Sequence, residues 1–175
     1  LVNLISKQAS RINYIIQSIL MMAKQKEVER DAINLVELLD DLLAGELSHL
    51  SKVVKIEVDP EIAVCFDENQ LRQVIINLLE NANRHNNWQK NAYIMCRALR
   101  EDKKITLSVI DTGEGVEEPH KLFKPFYSTG EKGTGLGLYL CKMLCETNKA
   151  VLQYHKTPQG TCFDLIMDNP AKDTQ

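Results

Sequence analysis

Four short motifs in this chain put polar groups or glycines where chemistry is possible. Asn77, Asn81 and Arg84 are spaced i, i+4 and i+7, so on a helix they stack on one side, beside its apolar stripe. Asparagine suits a helix interior poorly because its side chain competes for backbone hydrogen bonds. Two stacked at a hydrophobic edge suggest amides facing a ligand, but the helix taken alone favours a polar border wetted by water. Asp111-Thr-Gly113-Glu-Gly115 offers a carboxylate able to accept from a ligand amino group, then glycines that let backbone approach it. The D-x-G pattern is also a common turn. Gly133-Thr-Gly135-Leu-Gly137 opens an apolar-periodic segment, where free N–H groups and the helix dipole would hold phosphate. A hinge without a ligand explains these glycines about as well. They match neither the G-x-x-x-x-G-K-S/T loop nor the dinucleotide fingerprint, since no strand precedes them and the third-glycine spacing differs. Phe123-Lys-Pro-Phe126, taken alone, is a hydrophobic anchor for a loop.

The elements that must carry these motifs follow from periodicity. Leu71, Val74, Ile75, Leu78, Leu79 and Ala82 recur at steps of three and four, predicting a helix over Asp67–His85. Asp67 with Gln70 reads as its capping box, and Asn34 with Glu37 caps a second helix, Leu35–Leu47. Short strands are expected at Val53–Val58 and Ile62–Phe66, and an antiparallel hairpin from Ala92–Leu99 and Lys104–Ile110. His85–Asn91 is polar and loop-like. Val116–Gly137, with its prolines and glycines, is a long loop of the kind that serves as a lid. A helix over Leu136–Thr147 follows, then strands Ala150–His155 and Thr161–Met167. Strands and helices mix without strict βαβ alternation, which argues for a layered α+β sandwich.

Composition narrows the function classes. The chain has 175 residues, 44% hydrophobic and 26% charged, with a formal net charge of −3. No basic stripe marks a nucleic-acid surface, and no apolar run reaches membrane-spanning length, so no direct membrane contact is expected. The five cysteines show no C-x-x-C pair, and buried free thiols in a reducing compartment are the expectation. Val2, Ile5, Ala9, Ile12, Ile16, Ile19 and Ala23 form the narrow seam of a coiled coil or bundle, read as a dimerisation helix over residues 1–26. The charged run Lys24–Asp31 reads as a linker, giving a division into helix (1–26), linker (27–33), main domain (34–170) and tail (171–175). Leu1 opens the chain in mid-pattern, so a piece of a longer protein is expected.

The order of the motifs is more specific than any one of them. An asparagine-bearing helix, D-x-G-x-G after a strand, F-x-P-F in a long loop, then G-x-G-x-G opening a helix resembles the ATP-binding catalytic domain of sensor histidine kinases. These belong to the GHKL superfamily of gyrase, Hsp90, MutL and histidine kinases. The likeness covers roughly residues 31–168, and residues 1–26 resemble the second dimerisation helix of such kinases. The stretch FYSTGEKGTGLGLYLCKMLCETNKA is most similar to the group that regulates type IV pilin transcription.

This resemblance implies a two-layer α/β sandwich of the GHKL type, a mixed sheet covered by helices on one face. It implies ATP and Mg²⁺ as ligands, with Asn81 and Asn77 holding the metal and Arg84 on phosphate. His85 would border the nucleotide, and Asp111 would accept from the adenine amino group. Gly113 and Gly115 would let the base pack closely, and Thr161 would support it through a water. Phe126, Gly133, Thr134, Gly135, Leu136, Gly137 and Leu138 would line the lid and phosphate loop, with Lys132 reaching the γ-phosphate. Members that hydrolyse ATP carry Glu at the position of Asn77. Asparagine cannot act as a general base, which favours transfer to a side chain over hydrolysis. The phosphorylated histidine of the family is followed by an acidic residue, and none of His49, His85, His120 and His155 is. The acceptor is therefore expected outside this chain. The likeness further implies a homodimer formed through the N-terminal helix, a response regulator as partner, and a place in the cytoplasmic part of a membrane-anchored bacterial sensor. Other readings are a nucleotide-gated interaction module, and a GHKL ATPase or serine kinase.

Overall fold

Alternation along one strand decides which side of the sheet becomes the core. In the computed structural model, which describes residues 28–86, 88, 92–128, 135–158 and 160–170, Ile105, Leu107 and Val109 are fully buried. Thr106, Ser108 and Ile110 between them are only half-covered. The expected dimerisation helix lies outside the described residues.

In chain order the elements are β1 (Asp31–Asn34), α1 (Leu35–Ala44), β2 (Val54–Glu57), β3 (Ala63–Phe66) and α2 (Glu68–His85). There follow β4 (Ile94–Arg100), β5 (Lys104–Asp111), α3 (Gly137–Thr147), β6 (Val151–Thr157) and β7 (Gly160–Asp168). The strands form one mixed sheet in the order β1-β3-β7-β5-β4-β2, with β6 also on β7. β2 runs parallel to β4; the other pairings are antiparallel. The expected hairpin is β4–β5, with Cys96 opposite Val109. Helices α2 and α3 pack together and onto the sheet through Leu71, Val74, Ile75, Leu78, Leu140, Cys141 and Leu144. The opposite face carries Arg97, Leu99, Ser108 and Asp164, all exposed or half-buried. Among the described residues, no helix is long and apolar enough to cross a membrane.

Three local expectations are corrected. Residues 31–33, assigned by composition to the linker, belong to β1, with Ala32 opposite Cys65 on β3. Charge is tolerated there because an edge strand exposes alternate side chains, while Ile33 is buried. Helix α1 stops at Ala44 rather than Leu47, because Gly45 caps it and Leu47 N–H turns back to the Leu42 carbonyl at 2.8 Å. The Asp67 capping box is half made: Asp67 accepts from Gln70 N–H at 3.0 Å. The returning arm comes instead from Asn148 after α3, whose Oδ1 accepts from Asp67 N–H at 2.8 Å while its Nδ2 donates to Gln70 Oε1 at 2.7 Å. A buried asparagine thus joins the start of α2 to the end of α3.

Asp168 fastens the segment before β1 to the sheet. Its carboxylate meets Arg30 Nη2 at 2.7 Å and Lys104 Nζ at 2.6 Å. Burial works against ionisation, yet Lys104 and Arg30 hold the carboxyl below its usual range. A carboxyl depressed in the folded state contributes stability above its unfolded pKa and loses it as pH falls. Asp168→Asn should therefore lower Tm at neutral pH by roughly 2–4 °C. The deficit should close as pH drops below about 4. A thermal-melt difference that stays constant from neutral to acid pH would count against this role.

Candidate functional site

Asp111 is the last inward-facing residue of β5. It continues the row Ile105, Leu107, Val109, so the alternation that buries those side chains also buries a carboxylate, which is 2% exposed. Its strand partner is Thr161 of β7, whose hydroxyl donates to Oδ2 at 2.6 Å. Gly113 N–H donates to Oδ1 at 2.7 Å. Each oxygen keeps a lone pair for a further donor. Burial lifts the Asp111 carboxyl above its ordinary range, and Thr161, Gly113 and then His85 partly offset the rise.

The glycines beside it answer to the protein's own packing. A Cβ on Gly113 would stand 2.6 Å from the His85 carbonyl oxygen and 2.7 Å from Asp111 Oδ1. One on Gly115, whose φ is +82°, would stand 2.7 Å from the Tyr154 hydroxyl. The close approach that the sequence assigns to a ligand is made first by α2 and β6.

Asn86, which the sequence reading left in a polar loop, ties the two halves of the site together. Its Oδ1 accepts from Thr112 N–H at 3.0 Å and from the Thr112 hydroxyl at 2.5 Å, and its Nδ2 donates to the Tyr93 carbonyl at 3.2 Å. The C-terminal end of α2 is thereby held against the end of β5, next to Asp111. No periodic signal marks such a residue, because its partners lie far away in sequence.

Asn77, Asn81, Arg84 and His85 project from α2 into the same cavity, of about 240 Å³, that Asp111, Gly113, Gly115 and Thr161 line from the sheet side. Gly135, Gly137 and Leu138, at the start of α3, close a third side. Asn77 also lies against the Cys141 thiol of α3. Partial burial, and then Arg84, hold the His85 pKa below the usual value, with Asp111 acting the other way. Leu136 is buried and does not line the cavity, and Phe126 is turned away from it. Phe126 has φ +64° and is 73% exposed, since its backbone packs over Gly135, where a Cβ would come within 2.4 Å of the Phe126 carbonyl carbon. Tyr127 lines the cavity in its place. Phe123 anchors the loop by an edge contact with Phe163, at 6.5 Å between ring centres. Lys132, Gly133 and Thr134 lie outside the described residues.

Several lining residues were missed. Glu80 is three residues after Asn77 and so on its side of α2, and His49 holds its carboxylate at 3.2 Å. Tyr154 and Phe163 share the inward face of β6 and β7 with Thr161, and strand alternation would have found both. Val116, Leu122 and Ser128 come from the long loop, where no period exists to place them.

Comparison with known proteins gives the same outline. The model of the family described as histidine kinase-, DNA gyrase B-, and HSP90-like ATPase matches residues 66–171. The sensor protein kinase PilS of Pseudomonas aeruginosa is 33% identical over 98% of this chain, which spans 34% of that protein's length. The catalytic domain of histidine kinase ThkA superposes with a TM-score of 0.71 at 25% identity, covering 81% of this chain and 96% of that one. ThkA in complex with the response regulator protein TrrA gives a TM-score of 0.78 at 24% identity, covering 98% of this chain and 51% of that one. With its family match running from β3 through β7, this chain belongs to the histidine kinase-, DNA gyrase B- and HSP90-like ATPases.

Proposed function

We propose that the chain is the ATP-binding catalytic part of a two-component sensor histidine kinase. It would transfer the γ-phosphate of ATP to a histidine other than the four present here, and the phosphoryl group would pass on to a response regulator. The type IV pilin-regulating kinases are the finer reading, supported by the likeness to PilS. The observation that carries the proposal is the shared cavity: a buried acid from the sheet at one end and two amides from a helix along another wall.

The residues present fit both ligands. Asn81, with Asn77 and the nearby Glu80, offers hard oxygen donors in small number, as suits magnesium, which keeps much of its own water. A magnesium ion held there would supply positive charge to offset that of the phosphates. Asp111, with Thr161 bonded to it, would accept from the adenine amino group, and His85 would border the base. Arg84 would meet phosphate, joined by the N–H groups around Gly135, Leu136, Gly137 and Leu138 at the start of α3; the resemblance adds Lys132, Gly133 and Thr134 to that set. Catalysis would then consist of positioning and charge stabilisation, because Asn77 cannot activate water. The chain would work as part of a homodimer formed through residues 1–26, in the cytoplasmic part of a membrane-anchored sensor.

The test is to supply a dimerisation helix bearing the acceptor histidine together with radiolabelled ATP. Acid-labile, base-stable label on that histidine is the expected result. Tight nucleotide binding with no label would replace the proposal with a nucleotide-gated interaction module. Acid-stable label on serine, or phosphate release alone, would make it a serine kinase or an ATPase.

A further inference from the structure

We propose that the sheet face opposite the helices carries a zinc site on the β6–β7 hairpin, built from His155 Nδ1, Cys162 Sγ and the Asp164 carboxylate. Their ligand atoms all lie within 4.8 Å of one another, the one such group of His, Cys and acidic side chains among the described residues. The backbone explains the convergence. His155 and Cys162 are direct partners across β6 and β7, and Asp164 is two residues along β7, on the same face.

The spacing about Asp164 suits a tetrahedral ion. Bonds of roughly 2.0–2.3 Å to nitrogen, oxygen and sulfur place neighbouring ligands about 3.3–3.8 Å apart. Cys162 Sγ is 3.3 Å from Asp164 Oδ1, and His155 Nδ1 is 3.5 Å from Asp164 Oδ2. Ser108, from β5, donates its hydroxyl to Asp164 Oδ1 at 2.5 Å, the kind of outer hydrogen bond that orients carboxylate ligands. His155 is half-exposed, leaving room for water as fourth ligand. Imidazole and thiolate donors select zinc over the magnesium proposed for the cleft, which favours oxygen. Without a metal the same atoms make a surface His–Asp pair and a thiol hydrogen bond. The set of three donor types on two paired strands goes beyond what that pair requires.

Thr161, which bonds Asp111, immediately precedes Cys162 and faces the other way, so zinc and a cleft ligand would occupy opposite sides of β7. The inference does not depend on the nucleotide reading.

Calorimetric titration of the whole chain with zinc chloride, under a phosphine reductant, should show one ion bound per chain. His155→Gln, conservative at a half-exposed position, should weaken binding about tenfold or more, as should Asp164→Asn. Cobalt(II) in place of zinc should give a thiolate-to-cobalt charge-transfer band that Cys162→Ala abolishes and Cys65→Ala keeps. Zinc affinity unchanged in His155→Gln, or a charge-transfer band surviving Cys162→Ala, would overturn the assignment and place any bound metal on other thiols.

Discussion

Replacing Asn81 with alanine is expected to erase the effect of magnesium on ATP affinity while leaving the fold intact. Asn81 lines the cavity one helical turn from Asn77, and it lies off the fully buried stripe of α2. Magnesium takes few protein ligands, so losing one should cost on the order of 10–100-fold in magnesium-dependent affinity. Alanine has the higher helix propensity, so Tm should hold or rise slightly. ATP titrations with magnesium and with chelator present separate the outcomes. If both proteins show the same gain on adding magnesium, Asn81 is not a metal ligand. If the variant unfolds, the residue is structural.

Asp111→Asn should move binding and stability in opposite directions. A hydrogen bond to a charged group contributes about 1.5–3 kcal/mol, so the preference for ATP over GTP should fall by roughly 10–100-fold. An amide presents a donor where the adenine amino group needs an acceptor. The internal contacts survive: Oδ1 can still accept from Gly113, and the Thr161 hydroxyl can rotate to accept from the new NH₂. The folded protein, meanwhile, holds the Asp111 carboxyl above its ordinary range chiefly because it is buried. A carboxyl whose pKa rises on folding takes up a proton, so wild-type stability declines as pH climbs through the window above about 3.9. The variant has no such decline, and its Tm relative to wild type should improve across that window. Melts at acid and neutral pH test the sign. A variant that loses Tm as pH rises would mean the ionised form is the better-satisfied one, and equal ATP/GTP discrimination in both proteins would remove Asp111 from base recognition.

The sequence by itself determined most elements and which face of each is buried, because those signals are local. The stripe from Leu71 to Ala82 made α2 and put Asn77, Asn81 and Arg84 on its flank. The alternation of Ile105, Leu107 and Val109 made β5 an inward-facing strand, and Asp111 inherits that direction from its position. The order of the motifs was enough to point to the family. Only the tertiary structure decided what meets what. It brought Asp111 and Asn81 into one cavity, bonded Thr161 directly to the acid, and turned Phe126 out in favour of Tyr127. It also gave the second arm of the α2 cap to Asn148 and joined β5 to α2 through Asn86. Apart from the exchange of Phe126 for its neighbour Tyr127, which turns on the packing of Phe126 over Gly135, each of these pairs residues distant in the chain, and periodicity carries no information about them. They follow from how the sheet closes, with β2 parallel to β4 and β7 set between β5 and β6, an arrangement that buries together apolar side chains from strands and helices far apart in the sequence.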